Sequence, residues 1–137
     1  MKTLLAFFLA LVSLSASSQV KPIKVVFDVT SGDTLTHQAV LRHVSEMAKT
    51  YPQSSFEVVV YGSAMPMYVQ GKSTVGKSIR KLEGNPNVSF KVCEVTMARY
   101  KIDKSQLFSN VTPVPDGILE IVNKQAEGWG YIKEAHH

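Results

Sequence analysis

The stretch Ile23-Lys24-Val25-Val26-Phe27-Asp28-Val29, then Thr30-Ser31-Gly32-Asp33, decides the fold. The first part is a β-branched and aromatic run following Pro22, the signature of a strand buried on both faces. The second is a turn in which Asp33 is placed to cap a helix. Leu35, Ala39, Val40, Val44, Met47, Ala48 and Tyr51 then recur at helical spacing, and Pro52 stops the pattern. Phe56-Glu57-Val58-Val59-Val60-Tyr61 is a second buried strand closed by Gly62-Ser63. Strand, helix and strand in this order form a βαβ unit with a right-handed crossover, so the two strands are parallel.

The same alternation continues towards the C-terminus. Ala64 to Gln70 is irregular, and Ser73 or Thr74 can cap a helix reaching Leu82, with Val75, Ile79 and Leu82 inward. Gly84-Asn85-Pro86-Asn87 is a turn, and Val88 to Val92 is a third strand with Cys93 at its C-terminal end. Thr96 to Phe108 reads as a short helix and loop, and Val111 to Val114 as a fourth strand. Pro115 opens a last helix with Ile118, Leu119, Ile121 and Val122 inward, ending at Gly128. Trp129 to Ile132 is a final edge strand. The expected fold class is α/β: three α/β/α layers around a mostly parallel sheet of about five strands, flavodoxin-like in general architecture.

The N-terminus has another character. Lys2 precedes the apolar run Leu4 to Val12, and small and polar residues follow from Ser13 to Gln19. This is the layout of a secretory signal peptide, with Ala16 and Ser18 supplying the small residues of a cleavage site. The run is too short for a bilayer span, which takes about 20 apolar residues. The expected organisation is a signal peptide over 1–18 and one domain over 19–137, exported to the periplasm or secreted, with no membrane span after cleavage. The formal charge is +4, with basic and acidic residues interspersed. No basic run tracks a phosphate backbone, so no nucleic-acid partner is expected.

In an open parallel sheet, ligands sit beyond the C-terminal ends of the strands. That rule selects Ser31, Gly62, Ser63, Cys93 and Pro115 as crevice candidates. Cys93 is the one cysteine of the chain. It is buried and inert, paired with another chain, or a reactive thiol; a thiol beside a helix N-terminus gains thiolate character. Gly71-Lys72-Ser73-Thr74-Val75-Gly76-Lys77-Ser78 fits the phosphate-binding pattern G-x-x-x-x-G-K-[ST]. That loop functions directly between a strand and a helix, and here the preceding strand ends at Tyr61, so the match is read as fortuitous. His37 and His43 fall on different sides of one helix, and no metal or cofactor is expected.

The runs Phe27-Asp28-Val29, Val58-Val59-Val60-Tyr61-Gly62, Val92-Cys93-Glu94-Val95-Thr96-Met97, Val114-Pro115-Asp116-Gly117-Ile118 and Glu127-Gly128-Trp129-Gly130-Tyr131-Ile132 together resemble the DsrE/DsrF-like family of small α/β proteins linked to sulfur transfer. The resemblance spans Ile23 to Ile132. It implies assembly as a homo-oligomer, a trimer or hexamer, and a cysteine that accepts sulfur as a persulfide and passes it to a thiol or persulfide protein partner. The matching residue is Cys93. Position 95 is Val where the family pattern Cys-x-Asn-Thr-Met has Asn, and export departs from the cytoplasmic setting of the family's relays. The functional expectation is an exported protein that binds or relays sulfane sulfur on Cys93, at most a carrier. The alternative is an oligomeric small-ligand-binding module with Cys93 buried and inert.

Overall fold

The computed structural model describes residues 20–135; the expected signal peptide and the terminal His136 and His137 lie outside them. The elements are β1 (Lys24–Val29), α1 (Thr34–Thr50), β2 (Ser55–Val60), a 3₁₀ segment (Gly62–Tyr68), α2 (Gly76–Lys81), β3 (Val88–Cys93), α3 (Glu94–Tyr100), a 3₁₀ turn (Lys104–Gln106), β4 (Val111–Val114), α4 (Gly117–Ala126) and β5 (Gly130–Lys133). The strands form one sheet in the order β4-β3-β2-β1-β5, and every neighbouring pair is parallel. Three connections step the chain sideways from β1 to β4. The fourth carries it back across the sheet to the far side of β1. With right-handed crossovers, that reversal puts α4 on the face opposite α1.

Side-chain alternation agrees with this division. Val25, Phe27 and Val29 of β1, Phe56, Val58 and Val60 of β2, and Phe90 and Val92 of β3 share one core with Val40, Leu41 and Val44 of α1, Ile79 of α2 and Met97 of α3. Tyr68 of the 3₁₀ segment is buried there; its hydroxyl donates to the Val58 carbonyl at 2.8 Å, and its ring meets Phe90 edge-on. The other face holds Val26 and Val59 with Ile121 of α4 and, at its margin, Tyr61 and Trp129. Asp33 caps α1 as expected, its Oδ1 accepting from the Leu35 amide at 2.9 Å.

Several expectations need correction. Of the α4 residues expected inside, only Ile121 is buried; Ile118, Leu119 and Val122 are 58%, 53% and 53% exposed. α4 is the lone helix on its face, so it meets the sheet along a narrow stripe, and the rest of its apolar surface points outward. Leu35, in the first turn of α1, is exposed for the like reason that it precedes the part of the helix over the sheet. α2 begins at Gly76, because Ser73 turns back to accept from the Val75 amide and caps nothing further on. α3 begins at Glu94, immediately after the strand, and Asp116 rather than Pro115 sets the start of α4 by accepting from the Ile118 and Leu119 amides. β5 starts at Gly130; Trp129 packs beside Val26 and Val59.

Beneath α4 lies Glu57 of β2, a buried carboxyl. Its Oε2 accepts from the Ser89 hydroxyl at 2.9 Å and lies 3.6 Å from Lys124 Nζ, while its Oε1 has no hydrogen-bond partner among the described residues. Burial, then the neighbouring Glu120 carboxyl, push Glu57 up to about 7, against the opposing pull of Ser89 and Lys124. A raised carboxyl contributes stability that is complete below its ordinary value of 4.5 and is lost as the pH rises through 7. Denaturant unfolding is therefore expected to weaken between about pH 4.5 and 7. Glu57→Gln should flatten that slope and gain on the order of 1–3 kcal/mol over the parent at pH 8. An unchanged pH slope in the variant would show that the dependence arises elsewhere.

Candidate functional site

The C-terminal ends of β1, β2 and β3 are tied together by short backbone contacts. The Tyr61 amide donates to the Val29 carbonyl at 3.3 Å, and the Gly62 amide to Thr96 Oγ1 at 3.1 Å. Gly62 has φ +60, a left-handed conformation that suits a residue without Cβ and turns the chain off β2 into the 3₁₀ segment. Gly32 approaches the Ser63 carbonyl so closely that a Cβ would sit 3.1 Å from its oxygen. On the other side His37 Nε2 lies 2.7 Å from the Ser31 carbonyl, and the Ser31 hydroxyl accepts from the Asp33 amide at 3.1 Å.

Cys93 closes β3 in extended geometry and is at the same time the residue before α3. Its side chain is on the α4 face, beside Tyr61. The first residue of α4, Gly117, lies directly over both: a Cβ there would be 3.1 Å from Cys93 Cβ and 3.3 Å from Tyr61 Cδ1. The result is a cleft of about 220 Å³ lined by Tyr61, Gly62, Cys93, Val95, Thr96, Arg99, Asp116 and Ile118. Two helices contribute to it from opposite faces of the sheet, α3 through Val95, Thr96 and Arg99, and α4 through Ile118 with its cap Asp116. Cys93 is 6% exposed at the wall of this cleft.

A polar cluster stands behind Tyr61. Asp28 of β1 is buried; its Oδ2 accepts from the Tyr131 hydroxyl at 2.5 Å and lies 3.3 Å from Lys133 Nζ. Lys133 also donates to Thr30 Oγ1 at 2.7 Å and sits 5.8 Å from the centre of the Tyr61 ring. Burial, and after it the Asp28 carboxylate, push the Tyr61 phenol up to about 12; for Tyr131 the hydrogen bond to Asp28 comes first, with the same result. Both phenols therefore stay protonated at neutral pH, and the cleft keeps a neutral wall on this side.

Of the crevice candidates from sequence, Gly62 and Cys93 line the cleft. Ser31 and Ser63 lie in the adjoining turns, against Gly32, and Pro115 yields its place to Asp116. Tyr61, Val95, Thr96, Arg99, Asp116 and Ile118 were not singled out by sequence. The available signal was positional: each lies within a few residues of a strand end, and Val95, Thr96 and Arg99 have the spacing that puts side chains on one side of a helix. A larger hollow of about 880 Å³, between Val20–Pro22 and Thr50–Ser54, is at the opposite end of the sheet and has no thiol, histidine or carboxylate in its lining. Gly71 to Ser78 does not follow a strand. Its Gly76 is required by packing, since a Cβ would fall 2.6 Å from Cζ of Phe108. Among the described residues no three His, Cys, Asp or Glu side chains are grouped to hold a metal ion, and no helix is long and apolar enough to cross a membrane. His43 instead pairs with Glu134 at 3.0 Å.

No family model matches the chain, and no curated protein matches it in sequence. Solved structures do. MTH1491 of Methanobacterium thermoautotrophicum, a protein of unknown function, superposes with a TM-score of 0.75 at 26% identity, over 81% of this chain and 98% of its own. The ychN protein of E. coli superposes with a TM-score of 0.67 at 13% identity, over 83% of this chain and 99% of its own. Each match takes in nearly the whole of the other protein, so the fold is shared from end to end.

Gly117 gives the arrangement its test. Gly→Ala at a helical position ordinarily stabilises by roughly 0.5–1 kcal/mol. Here the added methyl meets the Cβ of Cys93, which the sheet backbone holds in place. Gly117→Ala is therefore expected to destabilise, by about 1 kcal/mol or more, measured by denaturant unfolding. A stabilised variant would show that α4 does not rest on Cys93.

Proposed function

We propose that this protein carries sulfane sulfur as a persulfide on Cys93. The observation that carries the reading is the placement of the thiol. It is the chain's single cysteine, and it ends a central strand of a parallel sheet. It lies in a cleft formed by elements from both faces, at the position where open α/β sheets bind ligands. The resemblance of the Val92 to Met97 run to DsrE/DsrF-like proteins, together with the fold shared with MTH1491 and YchN, supports it.

The step is thiol exchange at sulfur. The Cys93 thiolate attacks the outer sulfur of a donor persulfide or polysulfide; the donor's S–S bond breaks, its thiolate leaves with the electron pair and takes a proton, and Cys93 holds the new S–S bond. An acceptor thiolate, on a partner protein, then attacks the outer sulfur and regenerates the Cys93 thiolate. No cofactor enters. Incubation of the mature protein with polysulfide is expected to add about 32 Da, one sulfur atom, reversibly under reductant. Cys93→Ser should remove the adduct without lowering the unfolding free energy by more than about 1 kcal/mol. Labile sulfur retained by the Ser variant would overturn the reading.

The low exposure of Cys93 favours a second reading, in which the chain is an oligomeric ligand-binding module and the thiol is inert. Alkylation only in denaturant would select it. Either reading is proposed for an exported chain beginning at Gln19, and for a trimer or hexamer that covers the outward apolar face of α4. Leu119→Glu is expected to reduce the mass seen by light scattering; an unchanged mass would place the interface elsewhere.

A further inference from the structure

Two charged groups in the Cys93 cleft have no partner that accounts for them. Arg99, on α3, is exposed and forms no ion pair among the described residues. Asp116, before α4, caps that helix through one oxygen: both the Ile118 and the Leu119 amides donate to Oδ1, and Oδ2 accepts no hydrogen bond among the described residues. The two residues do not pair with each other, although both line the same cleft. Behind Tyr61, the Asp28 carboxylate is paired with Lys133 and hydrogen-bonded by Tyr131 through Oδ2. The cleft therefore presents a thiol flanked by one free cation and one free anion, reached from opposite faces of the sheet.

At about 220 Å³ the space is smaller than a drug-sized site and suits a ligand of amino-acid size. A cation and an anion that do not pair with each other complement a carboxylate and an ammonium on one molecule. The apolar walls Val95 and Ile118 fit the short carbon and sulfur portion between them and the thiol.

We propose that Arg99 and Asp116 select a small zwitterionic α-amino-acid disulfide or persulfide, with its carboxylate on Arg99, its ammonium on Asp116 Oδ2, and its sulfur against Cys93. The proposal deepens the sulfur-carrier reading by naming the donor class and rests on it for access to the thiol. The chemistry is balanced without a further reagent. With cystine as probe, the Cys93 thiolate attacks one sulfur, the cystine S–S bond breaks, a mixed disulfide forms at Cys93, and one cysteine leaves as a thiolate that takes a proton.

The experiment uses three disulfides of different charge: cystine, zwitterionic at each end; dithiodiglycolate, anionic; and cystamine, cationic. Initial rates of mixed-disulfide formation on the reduced full chain are read by intact mass and divided by the rates of a small uncharged thiol. This removes the intrinsic reactivity of each probe. Cystine is expected to lead both others by about fivefold, the scale of a pair of partly exposed charge contacts. Arg99→Gln should abolish the lead over cystamine. Asp116→Asn, which keeps the helix cap, should abolish the lead over dithiodiglycolate. Equal normalised rates in the parent, a preference that survives both substitutions, or reaction only in denaturant overturns the proposal. The sulfur-carrier reading fails separately: a cystine preference without any polysulfide adduct sinks that reading and leaves the selection standing, whereas an adduct without charge preference does the reverse.

Discussion

The connection from β4 to β5 has to cross the whole sheet, and handedness sends it over the face that α1 leaves open. Much of the molecule's character follows from this one constraint. A single ten-residue helix must cover a face three strands wide. It does so with Ile121 and, at its first residue, with a glycine pressed on Cys93 and Tyr61. The close approach lets α4 roof the strand ends and so creates a cleft there. Its cost is the apolar surface left outward on the other side of the helix, which a monomer in water keeps hydrated.

The same face holds both buried carboxylates of the sheet, and they are handled in different ways. Asp28 is met by Lys133 and the Tyr131 hydroxyl, both from the edge strand β5. Glu57 has the Ser89 hydroxyl and a more distant ammonium, Lys124, itself shared with Glu120 and stacked on the Trp129 ring. The desolvation of a carboxylate outweighs that company, so its proton stays on to a higher pH. In the lining of the Cys93 cleft, the charged residues are Arg99 and Asp116, and neither forms an ion pair among the described residues.

The α1 face is conventional by comparison. Four strands contribute side chains to one continuous apolar core, and the buried Tyr68 spends its hydroxyl on a strand carbonyl. This face secures the fold, whereas the thinner α4 face carries the proposed site. The division accords with the general observation that a rigid scaffold supports a site built from its connecting segments.

Much of the fold was legible in the chain. The runs Val25 to Val29 and Phe56 to Val60 are apolar on both faces, as interior parallel strands must be, and Asp33 and Pro52 bracket the helix between them. From these come the α/β class, the mostly parallel sheet and the rule that places Cys93 and Gly62 at a ligand-binding edge. Sequence also placed the Gly71 to Ser78 motif outside a strand-to-helix turn. It could not tell which apolar residues of α4 face inward, because a helix over a narrow stripe and a helix over a broad core have the same periodicity. Nor could it bring Arg99 and Asp116 together. They belong to helices on opposite faces of the sheet, and they line one cleft only because the chain reverses direction after β4. Local pattern and backbone preference determined the elements and their order; the crossover of α4, a long-range consequence of handedness and burial, decided which side chains share the cleft with the thiol.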